Sequence, residues 1–247
     1  MSLLLDLANT AVEITKCARF VVNIGAAQAY TYNDPTIPLY ETAYSGISYD
    51  VVPDGNNFVN WPYVCTPVLP SNMPAIDITS YAVLKIDMDS YDGLVMVQFL
   101  RMGHRPAVIQ IEVQPEIPPA LAFSVLESKD FKANGHFGFY GASLGWITKQ
   151  ANLFGYRPVA IDFESPYCHD VILAQDELFD LPTIDIDKAW RAAPMPAQHL
   201  LDAGVRSVDW RNLATGPVLY NAVRFGIDTA CLSKYGQMLP YELEWAA

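Results

Sequence analysis

The chain has 247 residues, 51% of them hydrophobic, and a formal charge of −12 at pH 7. That length suits one large domain or a domain with an appendage, and the apolar share excludes a disordered chain. The negative charge, without any basic run to offset it, speaks against nucleic acid and anionic membranes as partners and mildly favours a cationic small ligand. No apolar run is long enough for a bilayer span. The opening MSLLLDLANTAVEITK places Asp6 and no basic residue before its short apolar run, so it reads as an amphipathic helix rather than a signal peptide. Cys17, Cys65, Cys168 and Cys231 are scattered, without paired or metal spacing. They read as reduced thiols in an intracellular, cytoplasmic protein.

In chain order, Leu3 to Ala18 has the apolar spacing of a helix, and Arg19 to Ile24 that of a hydrophobic strand ending in Gly25-Ala26-Ala27. A Tyr- and Pro-rich loop (Tyr30 to Pro38) leads to a helical turn at Leu39 to Ala43. Gly46 to Tyr49 is a second strand, ending at Asp50 before the breaker Pro53-Asp54-Gly55, and Trp61 to Cys65 a short third. Ala82 to Ile86 is a buried strand that runs into Asp87, Asp89 and Asp92, and helical spacing follows from Gly93 to Met102. Asp89 or Ser90 suits a helix cap and Asp92 its dipole. Arg105 to Val113 is the clearest parallel-type strand; it carries Glu112 and enters a Pro-rich loop that cannot be helical.

Gly141 to Phe154 reads as helix, and Tyr156 to Asp162 and His169 to Ala174 as strands joined by a short loop, hence antiparallel. After Glu177 the periodicity weakens, with helical fragments near 187–193 and 219–225. The alternation predicts an α/β, Rossmann-like, doubly wound and mostly parallel sheet with an antiparallel last strand, plus a C-terminal extension. The expected division is residues 1–180 and 181–247, the second part being a lid, an interface or a packed tail.

Ligands of open α/β sheets bind at the carboxyl ends of strands. Three such ends suit a nucleoside-like ligand: the small residues Gly25-Ala26-Ala27, the acid Asp50 placed to accept ribose hydroxyls, and Asp87 with Asp89. Acids there are costly to leave unpaired and should meet a metal, a cation, backbone N–H groups or a substrate hydroxyl.

The blocks VVNIGAAQAYTYNDP, GISYDVVPD, TPVLPSNM, LKIDMDSYDGLVMVQFL, RPAVIQIEVQPEIPP and GASLGWITKQANLFGYRPVAI resemble FkbM-type, S-adenosylmethionine-dependent methyltransferases, over roughly Phe20 to Phe179. The resemblance implies that Asn23, Gly25 and Ala26 flank the methionine part of the cofactor. It also implies that Asp50 holds the ribose, that Asp87 lies beside the methyl group, and that a hydroxyl of a small sugar-like or secondary-metabolite acceptor is methylated. The first loop is poorer in glycine than is usual, and Asn23 replaces an acid often found there.

Deprotonating an alcohol needs a base or a metal. Asp87, Asp89 and Glu112 are hard oxygen ligands of the kind Mg²⁺ or Ca²⁺ prefers; alternatively one is the base and the others accept hydrogen bonds from a polyol. His104 reads as a surface residue at the far end of its strand, and His136, in the Gly-rich approach Asn134 to Gly138, as a solvated loop histidine or a base that reaches the site. Two other readings compete. Gly141-Ala142-Ser143-Leu144-Gly145 matches the nucleophile elbow G-x-S-x-G, with Asp162 or Asp170 and His199 completing a hydrolase triad. Its plainer account is a serine in the first turn of a helix, with glycines permitting close packing. A degenerate fold serving as a binding or scaffold protein is the third reading. Its partner surface, a homo-oligomer included, would use Tyr30, Tyr32, Tyr40 and Tyr44.

Overall fold

The computed structural model describes residues 2–26, 34–52, 60–131, 139–165, 168–192 and 216–246, with the side chains of 162–169 outside that description. Seven strands form one sheet: β1 (Ala18–Ile24), β2 (Ser45–Asp50), β3 (Tyr63–Cys65), β4 (Ser80–Ile86), β5 (Arg105–Glu112), β7 (Tyr156–Ser165) and β8 (Cys168–Gln175). Their order is β3-β2-β1-β4-β5-β8-β7, parallel throughout except that β8 runs antiparallel to both β5 and β7. This is the Rossmann-like, mostly parallel sheet that the alternation predicts. The strand order reverses between β1 and β4, which makes that junction the switch point where such sheets bind ligands.

The helices follow from local sequence. Helix α1 (Leu3–Thr15) buries Leu4, Leu7, Ala8 and Ala11, one face at helical spacing. It packs on the sheet face that carries Val21, Val83 and Val108. Helices α3 (Asp92–Arg101) and α4 (Leu144–Asn152) cover the opposite face, which carries Val22, Ile24, Leu84, Ile86, Ile109 and Ile111. β4 and β5 are buried on both sides, so they read as nearly continuous apolar runs. α2 (Ile37–Tyr40) is a single turn between β1 and β2.

Two strands fall outside the expected set. β6 (Leu121–Val125) follows the Pro-rich loop and pairs antiparallel with β9 (Tyr241–Trp245) at the far end of the chain. Of the later helices, α5 (Ile186–Ala192) contributes Trp190 to the main core, and α6 (Pro217–Tyr235) contributes Leu219, Val223, Ile227 and Cys231. α6 opens with Pro217 and closes on Gly236 at φ 69.

Three further expectations are corrected. The N-cap of α3 is Tyr91, so neither Asp89 nor Ser90 caps that helix. His104 is buried, packed edge-on between Tyr81 and Phe99, because the turn into β5 tucks it under the end of β4. Burial lowers its pKa. Ser143 is the N-cap of α4 and 0% exposed. Its Oγ donates to the Leu121 carbonyl at 2.8 Å and accepts from the N–H groups of Phe123 and Trp146. That leaves no exposed hydroxyl for a nucleophile elbow. Among the described residues, no helix is long and apolar enough to cross a membrane.

Gly145 is required by packing, because a Cβ there would lie 2.2 Å from the Pro119 carbonyl and 2.9 Å from that of Leu121. Gly145→Ala should therefore destabilise the fold by about 1–3 kcal/mol, the usual cost of overpacking. Urea unfolding reads this directly, and an unchanged midpoint would refute the contact.

Candidate functional site

The site grows from two rows of side chains on the α1 face of the sheet. Strand periodicity puts alternate residues on one face. Ser48, Asn23, Lys85 and Gln110 are register neighbours across β2, β1, β4 and β5. All are buried. Two residues further along, at the carboxyl ends, stand Asp50, Gly25, Asp87 and Glu112, and Asp170 of β8 lies opposite Glu112. A polar row thus underlies a row of acids.

Lys85 organises the row. It is 2% exposed, and its Nζ donates to the Gly25 carbonyl at 3.0 Å. Nζ also lies 3.1 Å from Asp87 Oδ2 and 3.4 Å from Asp34 Oδ2. Burial alone would lower its pKa; Asp34 and Asp87, with Asp170 beyond, outweigh burial and hold the ammonium above the ordinary lysine range. Asp34 is fixed in turn by the Thr36 N–H at 2.7 Å and by the Asn23 amide at 3.1 Å. Asn23 Oδ1 is buried without a hydrogen-bond partner among the described residues.

The loop after β1 is closed onto its neighbours. The N–H groups of Gly25 and Ala26 both donate to the Tyr49 carbonyl. Gly25 lies at φ 76, and a Cβ there would meet the Asp87 carbonyl at 1.6 Å. Glycine is thus demanded by the approach of β4. Asp50 accepts the Val52 N–H through Oδ1 at 2.8 Å.

After β4 the chain turns through Asp89, a non-glycine residue at φ 53. Asp92 folds back on this turn, accepting the N–H groups of Met88 at 2.7 Å and Ser90 at 3.1 Å. It is wholly buried, and burial first and Asp87 second push its pKa up to about 7. Burial likewise pushes Glu112 well above the carboxylate range, and Asp87, Asp92, Asp89 and Asp170 add to the rise. The Tyr140 hydroxyl faces Glu112 Oε1 at 3.4 Å. Asp170 accepts the Gln110 amide at 2.7 Å. Lys234, on α6, has its pKa lowered by burial while Asp89 acts to raise it.

The structure therefore brings Asp87, Asp89 and Glu112 into one acidic group at adjoining strand ends, with Asp92, Asp170 and Tyr140 as members. Asn23, Gly25 and Ala26 border it on the β1 side, and Asp50 ends the next strand over. The Asp87 side chain is 41% exposed, and Asp89 is partly exposed too. Among the described residues, no group of three or more His, Cys, Asp or Glu side chains is arranged to hold a metal. The Mg²⁺ expectation for Asp87, Asp89 and Glu112 thus finds no coordinating geometry. Ala27, Tyr30, Tyr32, His136, His199 and the side chain of Asp162 lie outside the described residues. Asp34, Lys85 and Tyr140 were absent from the expected site. Lys85 carried a readable signal, as a lysine inside an otherwise apolar central strand.

No protein-family model matches the chain, and no curated protein matches it. Solved structures that it resembles include the sugar N-methyltransferase of Streptoalloteichus sp ATCC 53650, with TM-score 0.39 at 9% identity over 70% of this chain and 87% of that one. They also include an O-methyltransferase of neocarzinostatin biosynthesis in complex with S-adenosyl-L-homocysteine, with TM-score 0.35 at 16% identity over 70% of this chain and 52% of that one. The mitomycin 7-O-methyltransferase matches with TM-score 0.36 at 13% identity over 70% of this chain and 53% of that one. The chain spans about half the length of these two O-methyltransferases.

Two outcomes follow from the buried charges. Lys85→Met leaves Asp34 buried without its cation and should cost about 3–5 kcal/mol. Adding Asp34→Asn should recover much of the loss, and an equally unstable double variant in urea titration would reject the pairing. An acid whose folded pKa is raised, here Asp92 from 3.8 to about 7, stabilises the fold below its unfolded pKa. That contribution is lost as pH rises through about 7. Urea midpoints should therefore fall as pH rises over this window, and less steeply in Asp92→Asn. Parallel profiles would contradict the assignment.

Proposed function

We propose that the chain is an S-adenosylmethionine-dependent methyltransferase of the FkbM type, acting on a hydroxyl of a small sugar-like or secondary-metabolite acceptor. The observation that carries the reading is the pair of carboxylates, Asp50 and Asp87, on either side of Gly25 at the β1/β4 switch point. Asp50 offers acceptor oxygens where a ribose would present its hydroxyls. Asp87, exposed and engaged with Lys85 through Oδ2 only, faces the crevice where a sulfonium cation would be favoured.

The fit is better for the nucleoside than for the amino acid half. The Gly25 carbonyl is taken by Lys85, and the N–H groups of Gly25 and Ala26 by Tyr49. Asn23, being wholly buried, would act by holding Asp34 and Thr36 beneath the loop rather than by direct contact. The cofactor supplies an electrophilic methyl group, so the protein's tasks are to align the acceptor oxygen and exclude water. Asp87, Asp89 and Glu112 are the groups that would accept the acceptor's proton. Glu112, buried and pushed up in pKa, is the strongest base of the three once ionised. A division of the chain at residue 180, and a cytoplasmic location, belong to the same proposal.

Calorimetric titration with S-adenosylmethionine and S-adenosylhomocysteine tests it. Micromolar binding is expected, weakened about tenfold or more in Asp50→Ala through loss of hydrogen bonds to a charged group. Absence of binding to either in folded protein would leave the scaffold reading in its place. Asp87→Asn should abolish methyl transfer while changing cofactor affinity little, and retained turnover would remove Asp87 from the reaction.

A further inference from the structure

From the polar face of β5 we infer that the acceptor carries an ammonium group, which is seated against Glu112. The inference rests on the methyltransferase reading for its meaning but not for its test. Gln110, Glu112, Gln114 and Glu116 alternate along β5 and its continuation, and all four are buried. Gln110 and Glu112 lie within β5, flanked by β4 and β8, whereas Gln114 and Glu116 follow in the turn beyond it, where Gln114 Oε1 accepts the Glu116 N–H. Glu112 is 8% exposed, and its Oε2 has no hydrogen-bond partner among the described residues. On the same face Gln110 Oε1 is also buried without a partner among the described residues, while its Nε2 donates to Asp170. Two acceptor oxygens, two residues apart, are thus left without donors.

The charges around them ask for a cation. Asp87, Asp92, Asp89 and Asp170 all act on Glu112 with the same sign. Lys85 is committed to Gly25, Asp34 and Asp87, and among the described residues Glu112 has no ion pair. Lys234 acts on Asp89. A metal is poorly suited, no converging ligand set standing among the described residues. An organic ammonium supplies up to three N–H donors and one positive charge, which is what the two oxygens and the acidic ring lack. The substrate class is therefore a small hydroxylated amine, an amino sugar or amino alcohol. Tyr140, on the other Glu112 oxygen, then acts as a positioning residue.

Saturation-transfer difference NMR on the full chain, without cofactor, tests this with matched probes: glucosamine and 2-aminoethanol against glucose and ethanediol. The expected result is a signal from at least one amine that exceeds its hydroxyl counterpart and falls about tenfold or more in Glu112→Gln, as for loss of a buried charge partner. Equal signals from amine and alcohol, no signal from either amine, or an amine signal unchanged in Glu112→Gln would each overturn it. The wild-type comparison of amine with alcohol decides the matter if the variant does not fold. Because no cofactor is present, this can fail while S-adenosylmethionine still binds, and the reverse.

Discussion

The Lys85 ammonium is the constraint on which the rest of the site depends. Taking one ammonium and its carboxylates out of water costs several kcal/mol per ion, which is recovered only when geometry and hydrogen bonds are complete. Here completion requires three separate pieces of chain: the Gly25 carbonyl after β1, Asp34 in the turn before α2, and Asp87 after β4. None can shift without exposing the charge on another. The same demand explains Gly25, since the Asp87 carbonyl passes where any Cβ would stand. The β1/β4 crevice is thus shaped by the protein's own charge pairing before a ligand arrives, which is the condition for preorganised binding.

Much of this was readable from the sequence, and the limits have physical causes. The central strands β4 and β5 announce themselves because parallel, doubly buried strands are apolar runs with acids at their ends, as in Ala82 to Asp87. β6 was hidden because LAFSV is short and its partner lies more than a hundred residues away in β9 (Leu121 opposite Trp245). β9 itself did carry a signal. Y-E-L-E-W alternates strictly, and its outward acids Glu242 and Glu244 meet Trp146 Nε1 and Lys149 Nζ of α4. His104 was misjudged because position at a strand's far end says nothing of lateral cover, which Tyr81 and Phe99 supply. In the site, Asp50, Asp87 and Glu112 are legible as strand-end acids. Asp34 is not, because only Lys85, far downstream in β4, makes its burial tolerable.

Register, rather than any single motif, is what joins these residues into a site. Asn23, Lys85 and Gln110 are distant in sequence and adjacent across the sheet. The alternation N-x-G, K-x-D and Q-x-E at three strand ends therefore produces one polar row beneath one functional row. A slip of one residue in β4 would send Lys85 into the α3 face and Ile86 among the acids, so the hydrophobic pattern and the polar row enforce the same register. The polar half of this face is buried as well and therefore needs cover of its own.

Part of that cover comes from beyond residue 180. Trp190 donates from Nε1 to the Pro115 carbonyl at 2.7 Å, fixing the segment that leaves Glu112. Tyr235 of α6 packs on Phe131 and Phe139, and Phe131 packs on Tyr91 at the mouth of the β4 turn. β9 then closes on β6. Desolvation is the largest influence on both Asp92 and Glu112. Elements that exclude water from the ends of β4 and β5 thereby set how strongly those carboxyls resist ionisation and how much a cation placed beside them gains. The described C-terminal elements are consequently part of the site's electrostatics: they lower the local dielectric, and in a low dielectric an unpartnered acceptor such as Glu112 Oε2 discriminates charge most sharply.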